Sequence, residues 1–283
     1  EHNLSDIFFH TVFGNVEGVT RAVEEFGADV NAIDDTGFAP LHYACRRPAI
    51  DIVKYLIDSG AQVHCVSKNK KADTPLCAAA QGGDLEVINL LLQKGANVNY
   101  VNGLQLNPLH LAIKEGKKLA AVFLIHNNAD IELQDSEGHT ALHWAAYRGE
   151  YRVLDILLKS GGNILAADNN GMLPIHWGAV HGHLDCLQRL YDEEPSTIQV
   201  KTKQDLTPIE MAKKYKQPEA ENLLSQFKSA SSNNSKHYSI GNLISDITAA
   251  DSRPFFIQCG LVILLLTIIA YIDRPYNIIG MII

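Results

Sequence analysis

The chain has 283 residues, 46% of them hydrophobic and 20% charged, and its formal net charge is −8. That acidic balance, without a basic stripe anywhere along it, argues against a nucleic-acid partner. Five cysteines (Cys45, Cys65, Cys77, Cys186, Cys259) form no CxxC and no even framework, so reduced thiols and a cytosolic setting are expected. Opening on Glu1 rather than Met, the chain reads as a fragment or processed product, and its first residues hold no apolar run that could serve as a signal peptide.

The first unit, residues 4–33, keeps Gly14 and Asn15 and the phrase GADVN at 27–31 but lacks the motif that follows, as a capping unit would. From there a phrase recurs: GFAPLHYAC at 37–45, DTPLCAAA at 73–80, LNPLHLA at 106–112, GHTALHWAA at 138–146, GMLPIHWGA at 171–179 and LTPIEMA at 206–212. Its third position falls at Pro40, Pro75, Pro108, Ala141, Pro174 and Pro208, in steps of 35, 33, 33, 33 and 34. Asp35, Asp135 and Asp168 precede a Gly by two or three residues, which suits a tight turn. Thr140 or its equivalent can cap a first helix, and Pro in that first turn sacrifices no hydrogen bond. Small residues such as Ala78, Ala79, Ala80, Ala145 and Ala146 allow close stacking. A second helix follows, with a predicted buried stripe at Val53, Leu56, Ile57; Val87, Leu90, Leu91; and Val153, Ile156, Leu157. Gly60, Gly95 and Gly161 then end it. A 33-residue period with this core resembles the ankyrin family over residues 4–227, which implies an all-α solenoid of about seven repeats. The ankyrin domain is assigned to residues 1–227.

The recurring His42, His110, His143 and His176 look like metal ligands, but repetition at this period marks them as structural groups that bond neighbouring turns. Cys186 lies near His181 and His183 in sequence, yet Gly182 and His183 form the ordinary inter-helix turn. No catalytic residue, metal site or cofactor is therefore assigned within the chain. The closing unit, residues 202–227, has Glu210 in place of His and carries Lys213, Lys214 and Lys216, as a polar cap would.

Residues 228–254 read as a linker and juxtamembrane segment: KSASSNNSKH at 228–237 lacks apolar periodicity, and 238–252 holds a short apolar stripe at Ile240, Leu243, Ile244 and Ile247. That stripe suits a membrane surface, the solenoid, or simply a short helix. Residues 255–272 are uncharged for 18 residues, long enough to cross a bilayer core. Twelve are Phe, Ile, Leu or Val, which favours insertion by on the order of 4–7 kcal/mol, less the cost of Gln258 and Thr267. Residues 273–277 form a polar break, and 278–283 start a second apolar run. Together they predict a hairpin with residues 1–254 cytosolic.

This combination resembles the ankyrin-repeat palmitoyltransferases of the Asp-His-His-Cys class, whose members share the phrase G-x-T-A-L-x-W-A-A-Y, present here at 138–147, and a second Trp-bearing copy, here at 173–179. The resemblance implies a Golgi or endosomal membrane protein using palmitoyl-CoA as acyl donor. Its catalytic segment is absent from residues 1–283 and is expected downstream. The chain itself is then the substrate-recruiting and anchoring half. Two other readings stand beside this one, a membrane-anchored ankyrin adaptor without enzymatic activity and the cytosolic end of an ankyrin-bearing ion channel.

Substrate proteins are expected to dock on the concave face at Trp144, Tyr147, Arg148 and Trp177, residue types that dominate interface energetics. Packing between helices is the competing role for both tryptophans. One repeat apart, they are expected side by side at about 10 Å. An aliphatic or prolyl side chain, in line with the Pro-containing motifs that the resemblance implies, would then fit between them, with Arg148 free for a carbonyl or carboxylate.

Overall fold

A computed structural model describes residues 2–47 and 49–237. They form seven antiparallel helix pairs: α1 (His2–Phe13) and α2 (Val16–Glu24), α3 (Pro40–Arg46) and α4 (Ile50–Asp58), α5 (Pro75–Gly82) and α6 (Leu85–Gln93), α7 (Pro108–Lys114) and α8 (Lys118–His126), α9 (Ala141–Arg148) and α10 (Tyr151–Lys159), α11 (Pro174–His181) and α12 (Leu184–Glu193), α13 (Pro208–Lys214) and α14 (Pro218–His237). A short 3-10 turn, Pro195–Gln199, precedes the last pair, and no strand occurs among the described residues. First helices pack on first helices and second on second, so each repeat touches mainly its neighbours.

The core is one continuous column. Leu41, Leu76, Leu109, Leu142 and Ile175 stand at equivalent places on the first helices, and all are buried. The small residues behind them, Ala44, Ala79, Ala112, Ala145 and Gly178, let successive first helices approach. On the second helices Val53 and Leu56, Val87 and Leu91, and Val153 and Leu157 are buried as expected. The stripe is centred differently, however. Ile57, Leu90 and Ile156 are half-buried, while Ile52, Ile88 and Leu154 are fully buried. A second helix meets its own first helix and two neighbouring second helices, so it buries a wider arc than a single stripe.

Helix ends follow backbone chemistry. Gly60, Gly95 and Gly161 adopt positive φ, and Ala61 N–H closes onto the Leu56 carbonyl at 2.8 Å, which satisfies an orphan carbonyl of α4. At the opposite ends the histidines act as caps. Their Nδ1 atoms accept from the N-cap backbone N–H of Ala39, Thr140 and Leu173 at 3.2, 3.1 and 3.0 Å. The other ring nitrogen, Nε2, donates to the carbonyl of Asp73, Met172 and Val200 in the next repeat, at 3.0, 3.0 and 3.1 Å. Burial lowers the pKa of all three and pushes His143 and His176 to about 4, so both rings stay neutral near pH 7. Glu210 performs the capping half of this role alone, its Oε2 accepting from Thr207 N–H at 2.7 Å.

The Ser- and Asn-rich stretch at 228–237, expected as a flexible linker, is helical throughout as part of α14. Serine and asparagine are weak helix formers but not breakers, and α14 is anchored upstream by Phe227, whose ring stacks on Tyr191 at 4.0 Å. The expectations for 238–252, 255–272, 273–277 and 278–283 lie outside the described residues. Among the described residues no helix is long and apolar enough to cross a membrane.

Candidate functional site

The site is built from the β-turns that precede the first helices. In each turn one side chain gathers the following backbone N–H groups: Asp34, Ser67, Asn102, Asp135, Asp168 and Thr202 hold that place. The sequence pointed to Asp35 in the first of these. Asp34 is the residue used, because its Oδ1 reaches both Thr36 N–H (3.0 Å) and Phe38 N–H (2.9 Å).

Where the turn residue is aspartate, an aromatic donor stands nine residues on. Tyr43 Oη donates to Asp34 Oδ2 at 2.6 Å, and the indole N–H groups of Trp144 and Trp177 donate to Asp135 and Asp168 Oδ2 at 3.1 Å each. Where the turn residue is Ser67, Asn102 or Thr202, the equivalent positions hold Ala78, Leu111 and Met211, which have nothing to donate. Each tryptophan is thus fixed at one edge by its own turn and half-exposed on the concave face.

His139 joins the two tryptophan-bearing repeats. It is 6% exposed, with Nδ1 at 3.1 Å from Asp135 Oδ2 and Nε2 at 3.4 Å from Asp168 Oδ2. The second contact is an ion-pair distance outside hydrogen-bond geometry. Burial alone would lower its pKa, but Asp135, Asp168 and Glu137 together raise it. Burial likewise opposes ionisation of Asp135, yet His139 and the turn N–H groups hold that carboxyl well below the usual carboxylate range. The equivalent link two repeats earlier is neutral on one side, Asn102 Nδ2 donating to Asp73 Oδ1 at 2.8 Å.

All four residues named from the sequence, Trp144, Tyr147, Arg148 and Trp177, line one groove of about 430 Å³, with Lys114, His139 and Leu106. The arrangement between the tryptophans differs from the expected open slot. Tyr147 packs edge-on against both, at 5.7 Å from each, and His139 does the same at 5.8 and 5.1 Å. The two tryptophan rings therefore do not form an open slot between facing walls. Packing and groove lining are also not alternatives for these tryptophans, since each does both. Lys114, missed in the sequence reading, extends its ammonium to 5.2 Å from the Trp144 ring centroid. It occupies the Tyr147 position one repeat earlier, so reading columns at the 33-residue period would have found it.

None of the four described cysteines lines the groove. Burial raises the pKa of Cys45 well above normal, of Cys65 and Cys77 to about 11, and of Cys186 to about 12. Among the described residues no group of His, Cys, Asp and Glu could hold a metal ion.

Known proteins support the repeat assignment. The family profile described as "Ankyrin repeats" matches in three overlapping copies, at residues 7–102, 60–135 and 109–205. The putative palmitoyltransferase ZDHHC13 of Danio rerio is 32% identical over 135 residues, 48% of this chain and 21% of that protein. Palmitoyltransferase akr1 of Schizosaccharomyces pombe is 32% identical over 137 residues, again 48% and 21%. The transient receptor potential channel pyrexia of Drosophila melanogaster is 34% identical over 120 residues, 42% of this chain and 12% of the channel. These matches thus span only a small part of each relative. The ankyrin repeat domain of human ASB11 superposes with a TM-score of 0.69 at 22% identity, covering 78% of this chain and 96% of that one, a likeness of fold.

Proposed function

The chain belongs to the ankyrin-repeat family, and from that membership we propose that its array recruits substrate proteins to a membrane-tethered protein S-acyltransferase, by seating an extended segment of them over Trp144 and Trp177. The observation that carries the recruiting role is the groove itself, where aromatic side chains pinned by Asp135 and Asp168 offer a rigid surface that loses little entropy on binding. The acyltransferase role is supported by the two relatives named as palmitoyltransferases and by the uncharged run at 255–272, which would anchor the array to a Golgi or endosomal membrane from the cytosolic side. In this reading palmitoyl-CoA is the acyl donor, and the transferring thiol belongs to a catalytic segment elsewhere in the parent protein. The four described thiols all have raised pKa values, the opposite of an activated nucleophile. A channel reading draws on pyrexia and on the human transient receptor potential cation channel subfamily A member 1, 36% identical over 111 residues.

Proximity labelling from the full chain in cells, followed by acyl exchange on the captured proteins, tests the proposal. S-acylated proteins should be enriched, and Trp144→Ala should remove them. Capture of proteins without acyl groups would sink the acyltransferase reading, and capture indifferent to Trp144→Ala would sink the groove.

A further inference from the structure

We propose that the groove selects segments in which an apolar residue is followed, two positions on, by a side-chain carboxylate, which Lys114 and Arg148 bind. The inference rests on the recruiting role above and adds the chemistry of the partner.

Charge is segregated across this acidic molecule. The first helices α3, α5, α7, α9, α11 and α13 carry Arg46, Lys114, Arg148, Lys213 and Lys214 but a single carboxylate, Glu210, which is consumed in capping. Acidic residues such as Asp51, Glu86, Asp155 and Asp192 lie on the second helices. The concave face is thus basic on its helix side although the whole chain is negative.

Within the groove only Glu137, on the turn side, is an exposed carboxylate, and the two buried carboxylates are already committed. Asp135 and Asp168 each accept two turn N–H groups and an indole N–H, and His139 stands between them. The cations are not. Among the described residues neither Lys114 nor Arg148 has a carboxylate partner, whereas Lys118, Lys159 and Arg189 all do. A helix C-terminus favours a cation, which accounts for charge at these places. It does not require the Lys114 ammonium to lie over Trp144 or Arg148 to line the same groove. Two unpaired cations beside an aromatic surface make a site for an anion adjoining an apolar group.

The spacing fits. Side chains on one side of an extended segment recur about every 7 Å. Lys114 Nζ is 5.2 Å from the Trp144 ring centroid, so an apolar residue resting on the ring places the same-side residue two positions on within reach of the ammonium. Glu137, on the turn side and 74% exposed, faces the other edge of the segment and disfavours a carboxylate there, which sets its direction.

A phage-displayed library of random dodecapeptides, panned on the full 283-residue chain, tests this without presupposing a ligand. Clones that need Trp144 should be enriched in Asp or Glu two positions after an aliphatic or aromatic residue. Synthetic copies with amidated termini should lose about tenfold or more in affinity on changing that acid to its amide, and about as much on Lys114→Gln or Arg148→Gln. The Lys114→Glu, Arg148→Glu double variant should instead favour a lysine at the same peptide position. Trp144-dependent clones without acidic enrichment, or binding that needs a free C-terminal carboxylate, would overturn the proposal and leave the groove standing. Clones indifferent to Trp144→Ala would remove the groove and the proposal together.

Discussion

His139 shows how much a single side chain decides here. It touches both tryptophans and both turn aspartates, and it takes a place that Phe38, Leu106, Met172 and Leu206 fill in other repeats. His139→Met should therefore fold, having a precedent within the chain. The groups facing His139 are Asp135, Asp168, Glu137 and the rings of His143, Trp144 and Trp177, and His110 in turn feels the charge of His139. Its folded pKa is raised, so the stability it adds is complete below the unfolded value of about 6.5 and is lost as pH rises through the folded value. Wild type should melt above His139→Met at pH 5.5, about one unit below that value, and the gap should close in alkaline buffer. A gap that widened with pH would refute this charge state. His42, His110, His143 and His176 have the opposite sign, their pKa values lowered by burial, so their contribution fades in acid in both proteins. Trp144 allows a second separation. Trp144→Phe keeps a ring over the groove but removes the indole donor to Asp135 Oδ2, leaving His139 as its side-chain partner, and should cost about 1–3 kcal/mol of stability while sparing most affinity. Trp144→Ala should lose both, and the pair of melting and titration curves distinguishes them.

At the scale of the element, the caps and turns carry specific energies. Asn107 is fully buried at the N-cap of α7, accepting from His110 N–H at 2.9 Å and donating to the Asp130 carbonyl at 3.1 Å. Asn107→Ala removes a cap and leaves a carbonyl of the next repeat unpaired, so urea unfolding should show a loss of about 2 kcal/mol. An unchanged midpoint would mean that the cap is dispensable. Gly149 is the tightest inter-helix turn. Its φ is +70°, and a Cβ there would lie 2.5 Å from the ring of His183, whose Nε2 bonds the Tyr147 carbonyl at 3.0 Å. Gly149→Ala should displace His183 and, through that bond, loosen the end of α9 that presents Arg148, which hydrogen exchange at Arg148 and Tyr151 would report.

The sequence made much of this level legible, because the period aligns like with like. The ladder of His42, His143 and His176, the glycine stops and Glu210 as a substitute all follow from lining up six copies, whereas His110, expected to bond the neighbouring turn as well, leaves its Nε2 without a hydrogen bond. What it did not show was geometry across repeats. His139, Lys114 and the true turn residue Asp34 each act on a neighbour in space, and no spacing within one copy reveals that. The burial of Ile52, Ile88 and Leu154 was missed for the same reason, since two flanking helices widen the buried arc. The Ser- and Asn-rich end of α14 shows the converse error, composition taken as conformation.

For the whole molecule, stacking in one dimension predicts graded stability. Among the described residues, inner pairs are packed on both sides and terminal pairs on one. Amide exchange should be slowest in α5 to α10 and fastest in α1, α2 and α14, and uniform protection would contradict this. The exposed Phe9 and Phe13 on α1, 57% and 68% accessible, mark the N-terminal pair as the weaker end.

The coupling of turn aspartate to an aromatic nine residues on has a consequence for engineering. The hydrogen bond that fixes each tryptophan lies within a single ten-residue cassette, while Tyr147 packs on both rings and the histidine one repeat before Trp177 shares its carboxylate. Such a cassette is transplantable. The fourth repeat offers Asn102 and Leu111 in the matching places, with Asp73 where a histidine would have to stand. Changing Asp73→His, Asn102→Asp and Leu111→Trp together would copy the arrangement one repeat upstream and lengthen the aromatic row. Asn102→Asp alone would set two carboxylates against each other at the present 2.8 Å contact, so the three changes form a unit that neither design nor drift can enter one step at a time through that residue.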